Sequence, residues 1–317
     1  MSLPTIFQGL RLPVVAAPMF LVSGPQLVIE SCQNGIVGTF PALNQRTTEG
    51  FEEWVLEIKA KLSQFEQGTG KKAAPFGVNL IVHRSNPRLE ADLAICVKHH
   101  VPLIITSLGA VPEVVKAVHS YGGLVFHDVT NIKHAQKAAA ADVDGLIAVC
   151  GGAGGHAGRI NPFALMGQIR KFFKKTVLLA GAISQGRDVL AAQAMGADLA
   201  YMGTRFVATE ESTAQPEYKQ MIMDSEAEDI IYTPAVSGVP ASFMKASLEK
   251  AGIHDFNDRG EMNFGSDKQA LDKEAKAWKN IWSAGHGVSN ISDVPTVAAL
   301  VSRLEKEYQA AKQELLG

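Results

Sequence analysis

The sequence predicts an α/β protein in which eight strands, each followed by a helix, close into a (β/α)8 barrel of the TIM type. Three observations support this. Short β-rich runs recur from Leu12 to Phe206, helical patterns fill the gaps, and most runs are nearly continuous in Val, Ile, Leu and Ala. Continuous apolar runs are typical of strands buried on both faces, as in a parallel sheet covered by helices. An open doubly wound sheet is the alternative that the pattern leaves open.

The predicted strands follow one another in chain order. From the third strand onward their starts lie roughly 20–30 residues apart, the spacing of a strand–helix repeat. The runs are 12–19, 35–40, 75–81, 102–108, 123–129, 145–151, 176–183 and 199–206. Eight such repeats are enough to close a barrel.

Helical signals separate the strands. Apolar residues recur on one face of 51–65, as in a helix that packs on a core. Pro112 opens the helix predicted over 112–121, where its missing N–H does no harm. Gly196 stands where the helix predicted over 186–198 would end, because glycine readily takes the left-handed conformation of a helix end.

The rhythm of strand and helix changes beyond Phe206. Residues 210–285 are more polar and mostly helical in pattern, and 293–316 has the pattern of an amphipathic terminal helix. We expect a barrel domain of residues 1–209 and 286–317, with 210–285 inserted as a mostly helical lid or subdomain. Active sites of such barrels lie at the carboxyl ends of the strands, so the insertion is expected to cover that end.

The composition excludes several classes of partner. The net charge is −2 with acids and bases interspersed, which argues against nucleic acid or an anionic membrane. The longest apolar runs fall short of the roughly 18–20 residues that span a bilayer, and the N-terminus lacks the pattern of a signal peptide. Three widely spaced cysteines indicate a reduced compartment, with neither disulfides nor a metal site. We expect a cytoplasmic protein, and leave open whether the terminal helix forms a homodimer or packs on the barrel.

The loops after the seventh and eighth predicted strands carry the pattern of a phosphate site. Gly181, Ala182, Gly203 and Thr204 offer backbone N–H groups and a hydroxyl at adjacent strand ends, where such barrels commonly hold a phosphate. Two tight turns are the alternative interpretation. Because no GxxxxGK[ST] motif is present and no GxGxxG opens a helix after the first strand, flavin mononucleotide (FMN) fits better than ATP or a Rossmann-bound dinucleotide.

The run "VCGGAGGHAG" (149–158) presents one imidazole among five glycines. Glycine inside a strand or helix costs about 0.5–1 kcal/mol relative to alanine, so the cluster indicates special dihedrals or a close approach. Gly154 and Gly155 would let the main chain pack against a ring or phosphate while His156 points inward as a general base. A structural histidine is the alternative.

Other polar residues at strand ends are candidates for the same pocket. His127 ends the fifth strand, where it lines the pocket or fills the barrel. His286 lies beside a glycine pair near the predicted barrel mouth and, with Ser107 at the end of the fourth strand, is a candidate for contact with substrate.

Together these motifs resemble the nitronate monooxygenase family, formerly called 2-nitropropane dioxygenases. The resemblance rests on the order "APM", "PFGVNL", "GGAGGHAG", "AGAISQGRDVLAA" and "MGTRF" and covers residues 12 to about 300. It implies a TIM barrel that binds FMN non-covalently, with His156 as the catalytic histidine. The cofactor contacts that it implies are Ala17, Pro18, Met19, Asn79, Gly181, Gly203 and Thr204.

The resemblance implies that an alkyl nitronate gives electrons to FMN and that the reduced flavin reacts with O2. The histidine would act as base where the neutral nitroalkane is the substrate. Asp128, Cys150, Gly152 and Ala182 depart from the family pattern, Asp128 standing where one branch commonly has Lys. Two alternatives stay open: an NAD(P)H-dependent reductase of quinones or enoyl thioesters, and a flavin-binding protein without turnover.

Overall fold

A computed structural model describes residues 3–83, 85–109, 112–236, 238–257 and 280–316. The barrel strands are Val14–Ala16 (β1), Val37–Pro41 (β2), Phe76–Ile81 (β3), Leu103–Ser107 (β4), Leu124–Val129 (β5), Gly145–Val149 (β6), Thr176–Ala180 (β8) and Leu199–Met202 (β9). A two-residue strand, Gly155–His156 (β7), lies outside the barrel. All barrel neighbours pair in parallel, and β9 closes on β1 by pairing Tyr201 with Val15. The predicted (β/α)8 barrel is confirmed, and the open sheet is wrong.

Helices follow the strands and surround the barrel. They are Pro25–Gln33 (α1), Thr48–Thr69 (α2), Leu89–Lys98 (α3), Pro112–His119 (α4), Ile132–Ala140 (α5), Pro162–Phe172 (α6), Gly186–Ala194 (α7), Thr204–Val207 (α8), Pro216–Met223 (α9), Lys245–Lys250 (α10) and Val297–Leu316 (α11). Side chains of Thr47, Asn131 and Asn161 accept the first free N–H groups of α2, α5 and α6, which fixes where these helices begin. None of the described helices is long and apolar enough to cross a membrane.

Apolar side chains at alternate strand positions fill the barrel. The fully buried members of this core are Val15, Val37, Leu103, Ile105, Phe126, Ile147, Leu178 and Leu199. Phe7, in the segment that leads into β1, packs on them with its ring centroid 5.6 Å from that of Phe126. Because the interior is packed, a ligand has room only at an end of the barrel.

The predicted insertion contains strands that the sequence pattern did not indicate. Ile230–Thr233 (β10) and Ala241–Met244 (β11) pair antiparallel, and β11 also pairs antiparallel with β7. The three form a small sheet in the order β10-β11-β7. Strands of two to four residues are too short to show a period, so helical propensity in their neighbours dominated the prediction. The stretch 258–279 of the insertion lies outside the described residues.

The terminal helix α11 packs across the first turn of α7. Gly186 is placed so that a Cβ there would lie 2.0 Å from the carbonyl oxygen of Leu304 and 2.5 Å from the nitrogen of Tyr308. The Gly186 N–H donates to Glu307 Oε2 at 2.7 Å. Val297, Leu300 and other apolar residues of α11 are buried in this contact, so the helix completes the outer layer of the barrel.

We predict opposite effects of alanine at two helical glycines. Gly186→Ala lowers the free energy of unfolding by about 1–3 kcal/mol, because its methyl group has to displace the backbone of α11. Gly167→Ala in α6, where a Cβ would meet nothing within 4 Å, raises it by about 0.5–1 kcal/mol through helix propensity. Urea denaturation of both variants measures the difference. Equal effects would contradict the close approach of α7 and α11.

Candidate active site

The glycine-rich loop after β6 is bound to two other segments through its backbone. The Gly152 carbonyl accepts from the N–H of Ala182, at 3.2 Å, and from the N–H of His286, at 2.9 Å. The Gly151 N–H donates to Ile160 O at 2.9 Å, which closes the loop on itself. The loop after β6, the loop after β8 and the segment around His286 therefore form one unit at the barrel mouth.

The glycines of this loop are explained first by the chain's own packing. A Cβ on Gly154 would lie 2.8 Å from the carbonyl carbon of Ala284 and 2.9 Å from the nitrogen of Gly285. Gly152 and Gly155 have φ values of +92° and +65°, which favour glycine. The close neighbour of Gly154 is thus backbone of the same chain. A contact of Gly154 or Gly155 with a cofactor stays a prediction.

His156 lies on β7, where its residue pairs with Ala241 of β11. At the next residue in the chain, the Ala157 carbonyl accepts a hydrogen bond from the Tyr232 hydroxyl at 3.0 Å. The imidazole is partly buried, and the loss of solvent lowers its pKa to about 4. The ring is therefore neutral at physiological pH and able to accept a proton.

A chain of polar side chains crosses the carboxyl ends of β3, β4 and β5. Asn79 Nδ2 donates to Ser107 Oγ at 2.8 Å, and Ser107 Oγ donates to Asp128 Oδ2 at 2.5 Å. Asp128 is two residues from Phe126, so by strand alternation it shares the interior face of β5. Burial raises the Asp128 pKa to about 6, and the Ser107 hydrogen bond opposes that rise. Asn79 and Ser107, both predicted to contact a ligand, are thus hydrogen-bonded in a chain that ends at Asp128. The sequence motifs marked Asp128 only as a departure from the family pattern.

His127 occupies the opposite face of β5 from Asp128. Its Nδ1 lies 2.7 Å from Thr106 Oγ1, and burial lowers its pKa to about 4, with smaller contributions from His134 and Lys137 of α5. The side chain therefore faces the helix layer. Its predicted contact with the cofactor is untested.

The loops after β1 and β9 meet at one spot. A Cβ on Gly203 would lie 3.8 Å from both Ala17 Cβ and Met19 Sδ, which brings three predicted cofactor residues together, with Pro18 between two of them in the chain. The Met19 N–H donates to Ser23 Oγ at 3.0 Å. The Met19 N–H is therefore already bonded within the chain, and contact of its thioether side chain with a cofactor stays a prediction.

The loops after β8 and β9, where the sequence predicts a phosphate site, contain free hydrogen-bond donors. In the part of the chain that the structure describes, the N–H groups of Gly181 and Gly203 meet no acceptor. The N–H of Ala182 already donates to the Gly152 carbonyl of the glycine-rich loop. The backbone of Ala182 has a φ of +54°, a value that favours glycine. Thr204 Oγ1 accepts from the Gly285 N–H at 2.9 Å, which leaves the hydroxyl proton free to donate.

Comparison with known proteins identifies the family. The family profile described as nitronate monooxygenase matches residues 3–307. This chain belongs to the nitronate monooxygenase family. The resemblance predicted from the sequence motifs is confirmed, and the family membership makes the chain a flavin-dependent oxidoreductase.

Relatives with similar sequences carry two kinds of name. A nitronate monooxygenase of Paraburkholderia phytofirmans is 25% identical over 97% of this chain and 95% of its own length. A hydroxy-methyl-oxo-octahydro-indene-carboxyl-CoA dehydrogenase of Rhodococcus jostii is 29% identical over 80% of this chain and 68% of its own length. Relatives of comparable similarity are therefore named for different activities.

Solved structures share the whole fold. A nitroalkane oxidase from Streptomyces ansochromogenes superposes with a TM-score of 0.79 at 26% identity, over 96% of this chain and 97% of that one. FabK from Thermotoga maritima gives a TM-score of 0.83 at 24% identity, over 99% and 97%. The second likeness supports the fold alone.

We predict that the Tyr232 hydroxyl holds the small sheet against the loop of His156. Tyr232→Phe removes one hydrogen bond, worth about 1 kcal/mol, and speeds amide exchange in β11 about fivefold. Tyr121→Phe is the matched control, because Tyr121 also donates to a backbone carbonyl, Val101 O at 2.8 Å, but at the start of β4. Equal exchange in β11 for both variants would show that Tyr232 does not anchor the sheet.

Proposed function

We propose that this chain is an FMN-dependent nitronate monooxygenase. It would oxidise alkyl nitronates with O2 as the oxidant, and the nitro group would be lost. The observation that carries the proposal is His156, a neutral imidazole that β11 holds at the barrel mouth. Relatives named nitronate monooxygenase and the nitroalkane oxidase structure support it.

The donor set at the mouth fits FMN. The N–H groups of Gly181 and Gly203 and the hydroxyl of Thr204 would hold its phosphate, as hydrogen-bond donors at strand ends do for anions. Ala17 and Met19 offer apolar contact beside Gly203, which suits a flat aromatic ring. Bound FMN would supply the electron acceptor for the substrate and the site at which O2 is reduced.

His156 would remove the proton from the carbon next to the nitro group of a neutral nitroalkane. A general base has to be unprotonated, and the lowered pKa of His156 meets that condition throughout the neutral range. The same low pKa makes the ring a weak base. The site therefore favours nitronates, which have already lost this proton, over nitroalkanes.

We propose that residues 210–285 form the cover of this site and that residues 1–209 and 286–317 form the FMN-binding barrel. The strand pairing of β11 with β7 supports a cover over the mouth. The Tyr218 and Trp282 rings stack 5.1 Å apart, which joins α9 to the segment that returns to the glycine-rich loop. A cover of this kind excludes water from a reduced flavin.

The first test is the visible spectrum of the purified protein under anaerobic conditions. We expect a flavin band that propionate 3-nitronate bleaches and NADH does not. Bleaching by NADH alone would favour a reductase of quinones or acyl thioesters, which the similarity to the CoA dehydrogenase also allows. Bound flavin that neither donor reduces would favour a binding protein, and failure to bind added FMN would overturn the proposal.

We predict that His156→Asn retains FMN and slows turnover of neutral nitroalkanes at least about tenfold, within the usual contribution of general base catalysis. Turnover of preformed nitronates falls less, because they need no deprotonation. Steady-state rates of O2 consumption measure both. His119→Asn, on the exposed face of α4 where its partner is Asp144, is the matched control and leaves both rates unchanged. Equal losses on the two substrates would exclude a role as base.

A further inference from the structure

The carboxyl group of Asp128 has two unlike oxygens. Oδ2 accepts from Ser107, which itself accepts from Asn79, and Asn79 also donates to the Ile105 carbonyl at 3.2 Å. The hydrogen bond from Ser107 therefore reaches Oδ2 and not Oδ1. Oδ1 is buried and has no hydrogen-bond partner among the described residues. A buried acceptor without a donor is costly, whereas an oxygen that carries a proton becomes a donor for a ligand.

Among the described residues, Asp128 forms no ion pair with a lysine or arginine. A titratable group that interacts with it inside the barrel is Tyr201 of β9, whose pKa is raised well above its usual value by burial and by Asp128. His134 and Lys137 of α5 face His127, on the outer side of β5. An ionised Asp128 would thus be a negative charge in an uncharged pocket.

Strand order places Asp128 across the barrel from the proposed phosphate site. In the closed order β1-β2-β3-β4-β5-β6-β8-β9, the strands β4 and β5 lie opposite β9 and β1. Gly203 and Met19 follow β9 and β1, whereas Ser107 and Asp128 belong to β4 and β5. A flavin held by its phosphate beside Gly203 would reach Asp128 by extending its ring past Met19 and across the mouth.

We propose that Asp128 binds the flavin as a neutral carboxylic acid, with Oδ1–H donating to a polar atom of the bound ring. This inference rests on the proposed function, because it requires a flavin over the mouth. Asp128 is then a cofactor-binding residue whose proton is taken up when the site fills. The hydrogen bond from Ser107 orients the group so that the proton resides on Oδ1.

Proton uptake makes flavin binding depend on pH. The ligand-free carboxyl group has a pKa of about 6, and binding that requires the protonated form raises it further. Affinity is then full below pH 6 and falls as pH rises, by as much as about tenfold per unit. The phosphate of FMN also titrates near pH 6, so a variant that keeps the phosphate but lacks the carboxyl group has to be compared.

The test is release of FMN from the loaded protein on dilution, followed by flavin fluorescence between pH 5 and pH 8. For the unaltered protein we expect affinity to fall at least about tenfold more than for Asp128→Asn, whose amide is a neutral donor at every pH. Ser107→Ala removes the hydrogen bond that opposes protonation, so its loss of affinity begins at a higher pH.

Three results would overturn the inference. Identical pH dependence in the unaltered protein and Asp128→Asn would show that Asp128 carries no linked proton, while retained FMN would leave the proposed function standing. Loss of FMN from Asp128→Asn at every pH would show that the carboxylate itself is needed. An unchanged onset in Ser107→Ala would show that the proton linked to binding is not on the Asp128 carboxyl group, which Ser107 contacts. Failure of the unaltered protein to bind FMN would instead contradict the proposed function.

Discussion

Two stretches of backbone, the loop 151–155 and the segment 283–286, pass so close together that only glycine fits at Gly154 and Gly285. A Cβ on Gly285 would lie 2.4 Å from the Gly152 carbonyl oxygen and 2.8 Å from the Gly154 nitrogen, the reciprocal of the crowding at Gly154. Hydrogen bonds from the residues of this contact position the other loops. The Gly285 N–H reaches Thr204, and the Gly152 carbonyl binds the loop after β8. The loops after β6, β8 and β9 are therefore positioned by one another before any ligand enters.

Burial favours the uncharged form of both His156 and Asp128 at the mouth. It lowers the pKa of His156 and raises that of Asp128, so that the uncharged form of each is favoured. The rest of the mouth contributes backbone N–H groups, the side chains of Asn79, Ser107 and Thr204, and small or apolar side chains. When Asp128 carries a proton, the pocket binds an anion through oriented dipoles, which need little rearrangement during a reaction. The proposed nitronate and the phosphate of FMN are both anionic, and the pocket suits them for this reason.

The eight barrel strands were predictable because each is a buried, nearly continuous apolar run, and that pattern does not depend on distant parts of the chain. The small sheet was not, since its strands have two to four residues and acquire their identity only by pairing with one another. The glycines 152, 154 and 155 signalled unusual backbone correctly. Their partner at Gly154 is a segment about 130 residues away, and only the folded chain shows it. Side chains alternate between the two faces of a strand, so His127 and Asp128 point to opposite sides of β5. The inward direction of Asp128 could have been predicted from the sequence, because it is two residues from the apolar Phe126.

The position of His156 depends on two parts of the structure, the barrel and the small sheet. Its chain continues from β6 of the barrel, yet its backbone is paired with β11, a strand within the predicted insertion. The predicted insertion therefore helps to set the position of His156 and is not an interchangeable part. A segment exchanged between relatives to alter substrate choice has to bring a strand in the same register opposite His156, or the imidazole moves with the replacement. An exchange that leaves His156 in place would therefore alter side chains at the ends of β10 and β11 and keep the pairing of the three strands.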